Sequence, residues 1–117
     1  MGCGNKPKVT LLDPQEFQTA VKNDSDAVIL DVRTPEEYAD GHLTDAVNID
    51  FLNRSVFNKA LETLDTQQHY YIYCRSGRRS ADAAKEMTAK GFKVTDMKGG
   101  YLAWEKDSLP IVSHPVD

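Results

Sequence analysis

The stretch Tyr70-Tyr71-Ile72-Tyr73-Cys74-Arg75-Ser76-Gly77-Arg78-Arg79-Ser80-Ala81 decides the architecture. Its first four residues form a β-favouring apolar run, and the alanine-rich segment 78–90 that follows is helical, closing at Gly91. A strand that passes through a glycine-containing turn into a helix is half of a parallel β-α-β unit. Cys74 stands at that turn. Backbone N–H groups converge there and the helix dipole is positive, which favours anions. Arg75, Arg78 and Arg79 add three positive charges within five residues. Such surroundings favour thiolate over thiol, so Cys74 is read as a nucleophile. The bland alternative is an inert core cysteine. The charged run that follows it argues against that.

Working outward, the chain alternates short β-rich runs with helical segments, the pattern of a parallel α/β sheet. Segment 9–12 is a short first strand. Asp13-Pro14-Gln15-Glu16 supplies a helix cap, a proline in the first turn and an acid three residues after the cap. Thr34-Pro35-Glu36-Glu37 repeats that signal, and Gly41 closes the helix. Segment 27–30 is a continuous apolar run, predicting an internal strand buried on both faces. Segment 46–49 is the next strand. A helix over 54–64 is predicted to bury Val56, Phe57, Ala60, Leu61 and Leu64. Ala81, Ala84, Met87 and Thr88 give the helix after Cys74 a face of mostly small residues. The last strand is placed at 92–97, before a Gly99-Gly100 turn and a helix carrying Tyr101, Leu102 and Trp104.

A length of 117 residues suits one domain. Boundaries are set at 1–8 for a flexible amino-terminal segment, 9–112 for the domain and 113–117 for a tail. The net charge of −4 argues against a general nucleic-acid binder and makes the arginine cluster a local basic spot on an acidic protein. No run reaches the length of a membrane span. His42, His69 and His114 are scattered and there is no C-x-x-C, so neither a metal nor another cofactor is expected. A disulfide between Cys3 and Cys74, the two cysteines, is disfavoured. Gly2-Cys3-Gly4-Asn5-Lys6-Pro7 is similar to the start of a mature bacterial lipoprotein, where the cysteine is acylated. That reading makes Cys3 a lipid anchor at the cell envelope; a polar tail with an incidental cysteine is the other, compatible with the cytoplasm.

Three segments together resemble the single-domain rhodanese, or thiosulfate sulfurtransferase-like, family across residues 9–112. They are Asp31-Val32-Arg33-Thr34-Pro35-Glu36-Glu37-Tyr38 with Gly41-His42-Leu43, the loop Cys74-Arg75-Ser76-Gly77-Arg78-Arg79-Ser80, and Gly99-Gly100-Tyr101-Leu102-Ala103-Trp104. The resemblance implies a parallel five-stranded sheet flanked by helices on both faces, with the active loop at the strands' carboxyl ends. It also implies that Cys74 takes a sulfane sulfur from thiosulfate or a related small anionic donor. The resulting persulfide would pass that sulfur to cyanide, a thiol or a partner protein. This is covalent catalysis in two half-reactions.

The residue types suit that chemistry. Donor and persulfide are both anionic, so the site needs preorganised positive potential rather than a base. Arg75 is assigned to anion attraction, and Arg79 to substrate binding or to bracing the loop. Arg78 is the third cation of the substrate-binding set, with an outward-pointing surface charge as its alternative. Ser76 and Gly77 are expected to contribute backbone amides, and Ser80 a helix-start hydroxyl. Asp31 and Arg33 are assigned supporting places near the same edge, with Arg33 read as a structural ion pair to Asp31 or Glu37. His42 is read as a packing residue, and Tyr101 and Trp104 as core or pocket-wall aromatics.

Cysteine phosphatases resemble His-Cys-x5-Arg. Here Tyr73 precedes the cysteine and Ser80 occupies the arginine's position, which disfavours phosphate chemistry. A sulfur carrier or a regulatory binding module with little catalysis of its own is the alternative kept open.

Overall fold

Asp13 and Thr34 start two helices in the same way. Each side-chain oxygen accepts from the amide three residues on, the glutamate there returns the bond, and proline occupies the first turn. These become α1 (Pro14–Lys22) and α2 (Pro35–Asp40). The computed structural model describes residues 8–113; Cys3, with its lipid-anchor and disulfide readings, and His114 lie outside them. The remaining helices are α3 (Arg54–Thr63), α4 (Arg78–Ala89) and α5 (Gly100–Lys106).

Five strands, β1 (Thr10–Leu12), β2 (Ala27–Asp31), β3 (Val47–Asn48), β4 (His69–Tyr73) and β5 (Lys93–Met97), form one parallel sheet in the order β1-β5-β4-β2-β3. Side chains alternate across it. Ile72, Cys74 and Val94 pack on one face with Phe57 and Leu61 of α3 and Ala83, Ala84 and Met87 of α4. Tyr71, Tyr73 and Met97 pack on the other with Phe17 of α1 and Tyr101 and Trp104 of α5. Helices therefore cover both faces of a parallel α/β sheet.

Three details differ from the sequence-based expectations. Val56 is 46% exposed, because Phe57 and Leu61 one turn apart define the inner line of α3 and Val56 falls beside it. Ala81 is exposed and Ala83 is buried instead, since α4 starts at Arg78 and turns Ser80, Ala83, Ala84 and Met87 inward. Only the carboxyl half of β2 is fully buried; Ile29 borders an open apolar hollow of about 300 Å³ that also touches Phe17 and Trp104.

Tyr73 ties the middle of the sheet to the loop after α2. Its hydroxyl is fully buried, donates to Asp31 Oδ2 at 2.7 Å and accepts from the Leu43 amide at 3.1 Å. Burial, and then the Asp31 charge, push its pKa far up, so it stays a neutral donor. Tyr73→Phe removes the hydroxyl, leaves the buried Leu43 amide without its acceptor and takes one bond from Asp31 Oδ2, which keeps those from Arg33. It should cost about 1–3 kcal/mol, read as a lower denaturant midpoint with an unchanged slope.

Candidate active site

Asp31 and Tyr73 are register partners at the carboxyl ends of β2 and β4, and the Val32 amide continues the pairing to the Tyr73 carbonyl at 3.0 Å. From that point the chain leaves β2 toward β3 and leaves β4 toward β5, in opposite directions across the sheet. Their connecting helices, α2 and α4, pack on opposite faces. A crevice opens at such a switch point. Cys74 directly follows Tyr73 there, and Val32 and Arg33 follow Asp31.

Gly77 caps α4 with φ of 103°, a left-handed conformation in which glycine is unstrained. The cap makes no side-chain hydrogen bond, so no side chain competes for the amides of the first turn. Its own N–H points back at Cys74 and donates to Sγ at 3.1 Å. The outer side of the loop is held by α5, whose Tyr101 and Leu102 amides donate to the carbonyls of Cys74 and Arg75 at 2.8 and 3.0 Å. The carbonyls are thus taken from outside, and the Gly77 amide reaches Sγ from within. Gly100 makes this contact feasible, because a Cβ there would lie 2.6 Å from both carbonyl oxygens.

The sulfur is less open than expected. Cys74 is 1% exposed and packs beside Ile72 and Val94, although Sγ still faces an amide of its own turn. Around this enclosed thiol the four arginines divide into two kinds. Arg75 and Arg78 are exposed, as is Ser76. Arg79 makes a two-pronged bond to Glu37, Nη1 to Oε1 at 2.8 Å and Nη2 to Oε2 at 3.0 Å. Those bonds raise its pKa, and a negative Cys74 sulfur acts in the same direction. Arg33 is 3% exposed, clamps Asp31 and donates to the Gly41 carbonyl at 2.6 Å, with Tyr101 stacked 4.3 Å from its guanidinium. Of the two partners considered for Arg33, Asp31 takes the bond and Glu37 goes to Arg79.

Arg33, Glu37, Asp40, Arg75, Tyr101 and Glu105 border a cleft of about 170 Å³ beside the loop. His42 stacks on Tyr38 at 3.7 Å and has its Nδ1 2.8 Å from the Tyr38 carbonyl, a packing position away from Cys74. Ser80, third in the helix rather than its cap, donates to the Gly77 carbonyl at 3.3 Å. Among the described residues no cluster of His, Cys, Asp and Glu suits a metal ion.

The sequence reading placed Glu37 at a helix start and as one of two acids for Arg33, and gave Asp96 no role. Glu37 serves both the Thr34 cap and Arg79, and only the first role has a local sequence signal. Asp96 is a carboxylate in the interior of the sheet, 3% exposed, and the polar residues around it in sequence hide it.

A thiol presented by a strand-loop-helix turn at the switch point of a parallel sheet defines a cysteine-centred α/β domain. The chain belongs to the Rhodanese-like domain family, whose match spans residues 13–107. It is 38% identical over 91 residues to thiosulfate sulfurtransferase 16 of Arabidopsis thaliana, covering 69% of this chain and 76% of that protein. A sulfurtransferase of Allochromatium vinosum is 30% identical over 106 residues, covering 90% and 96%. A rhodanese-related protein from Thermoplasma volcanium has the same fold, with a TM-score of 0.78 over 88% of this chain and 97% of that one at 25% identity. Sulfurtransferase relatives of this kind place the chain in a transferase family.

The Arg79 bonds hold the Glu37 carboxyl down at about 2, below its ordinary value of 4.5. A depressed acid stabilises the fold above its unfolded pKa, and that contribution fades as pH falls from about 4.5 toward 2. Glu37→Gln should lower stability at neutral pH by about 1–2 kcal/mol, less than full linkage because the pair is partly solvated. Urea unfolding at several pH values should show the gap between variant and parent closing at the acid end.

Proposed function

We propose that this protein moves a sulfane sulfur from thiosulfate, or a donor of similar charge, to a thiophilic acceptor through a persulfide on Cys74. The observation that carries this is the bond from the Gly77 amide to Sγ, at a helix start with no side-chain cap. That arrangement favours an anionic sulfur before and after transfer. In the first half-reaction the Cys74 thiolate attacks the outer sulfur of thiosulfate. The new S–S bond forms as the sulfur–sulfur bond of the donor breaks, and sulfite leaves with the bonding pair. In the second, the acceptor attacks the terminal sulfur and the Cys74 thiolate leaves; cyanide becomes thiocyanate, and a thiolate becomes a persulfide. No oxidant or metal enters either step.

The exposed Arg75 and Arg78 draw the donor anion to the loop. Arg79, tied to Glu37, braces the loop instead. Arg33 and Asp31 neutralise each other and hold the wall of the crevice.

Thiosulfate treatment under anaerobic conditions should add one sulfur atom to the intact protein, and cyanide should remove it. Cys74→Ser should keep the fold, accept no sulfur and lose transfer entirely. Transfer retained by that variant removes the nucleophile assignment, and a parent that takes up no sulfur favours a binding module. Arg75→Ala should lower kcat/KM for thiosulfate by about fivefold at low salt, and change use of an uncharged persulfide donor little. Equal losses for both donors would speak against electrostatic recruitment.

A further inference from the structure

Asp96 lies in β5 with Leu11 of β1 and Ile72 of β4 as its register partners. Val94, two residues earlier, shares a face of the sheet with Ile72 and Cys74, and the pleat puts Asp96 on that same face. Its Oδ1 is buried with no hydrogen-bond partner. Such an oxygen is costly in a packed interior and calls for a reason. Nothing in the sulfur chemistry above uses it.

Burial pushes the Asp96 carboxyl up to about 6, against smaller opposing effects of the Ser80 hydroxyl and the Met97 amide. No charged side chain of β1, β4, α4 or its own strand contributes. Of the titratable groups on its face of the sheet, Tyr70 donates its hydroxyl to the Asp65 carbonyl and Cys74 stands at the loop; the polar group above Asp96 is Ser80 in the first turn of α4.

Ser80 has one proton for two neighbouring acceptors, the Asp96 carboxyl and the Gly77 carbonyl, which its Oγ contacts at 3.3 Å. Asp96 can bond to Ser80 without disturbing that contact only by donating, which requires the protonated acid. Once ionised it can only accept, and the hydroxyl must turn to it. Gly77 O then keeps only its bond from the Ala81 amide. A negative carboxylate near the start of α4 also offsets that helix's positive potential and repels an anionic sulfur on the same face.

We propose that Asp96 is a positioning residue for Cys74: protonated, it holds Ser80 against Gly77 and leaves the loop's positive field whole; ionised, it takes the Ser80 hydroxyl and weakens that field at Sγ. The proton is exchanged with solvent and no heavy-atom bond changes. The inference rests on Cys74 being an anionic nucleophile, as proposed above.

The test is the rate of Cys74 alkylation by iodoacetamide, followed on the Cys74 peptide by mass so that Cys3 does not contribute. The ratio of the Asp96→Asn rate to the parent rate should be near one at about pH 5 and rise to about tenfold at about pH 7.5. Its midpoint should fall near 6, where the carboxyl titrates. A merely structural aspartate gives a ratio that is flat with pH, and that result overturns the proposal. The parent protein supplies a check that needs no variant. The carbon-13 titration of the Asp96 carboxyl should move to lower pH when Cys74 is capped with a neutral carboxamide, since coupling is reciprocal. An unmoved midpoint also overturns the proposal. A pH-dependent ratio without sulfur uptake from thiosulfate would leave Asp96 in its role and remove the transferase reading. Sulfur uptake with a flat ratio would do the reverse.

Discussion

The Cys74 loop keeps its shape because another helix holds it by the carbonyls. Two amides at the start of α5 bind the oxygens of Cys74 and Arg75, so that face of the loop is occupied. On the inner side of the turn the Gly77 N–H is then free to bond to the sulfur. Everything said about anion stabilisation follows from that division. The fold sets it up by bringing the Gly99-Gly100 turn after β5 beside the end of β4, its neighbour in the sheet.

The arginines show how location decides what a charge does. Two are fixed by carboxylates, Arg33 by Asp31 and Arg79 by Glu37, and their positive charge is largely spent on holding the crevice together. Arg75 and Arg78 remain solvated, so their field reaches a diffusing anion but is screened by salt. Glu37 is the hinge of this arrangement. One carboxylate caps α2 and anchors the first turn of α4, coupling the helices that follow the two strands at the switch point.

Much of this was legible in the chain before any coordinates. The apolar run ahead of Cys74, the paired proline-led caps and the glycines at helix ends each state a local rule, and the elements formed where those rules put them. Long-range pairing was not legible. Arg79 and Glu37 are 42 residues apart, and nothing near either residue names the other. For Arg33 two acids were available; the one two residues back, at the end of β2, won by proximity. Asp96 looks like an ordinary polar residue late in a strand, and only the register with Leu11 and Ile72 reveals its burial. The enclosure of Cys74 is likewise a property of packing around the loop, which local sequence does not encode.

The sheet ends in a strand of two residues on one side and three on the other. Unpaired backbone at a sheet margin is an invitation to other chains, since it offers a ready ladder to extend. Here neither margin is long enough to seat more than a few cross-chain hydrogen bonds. Val47, half exposed on the shorter one, thus sits on a poor template for fibril growth.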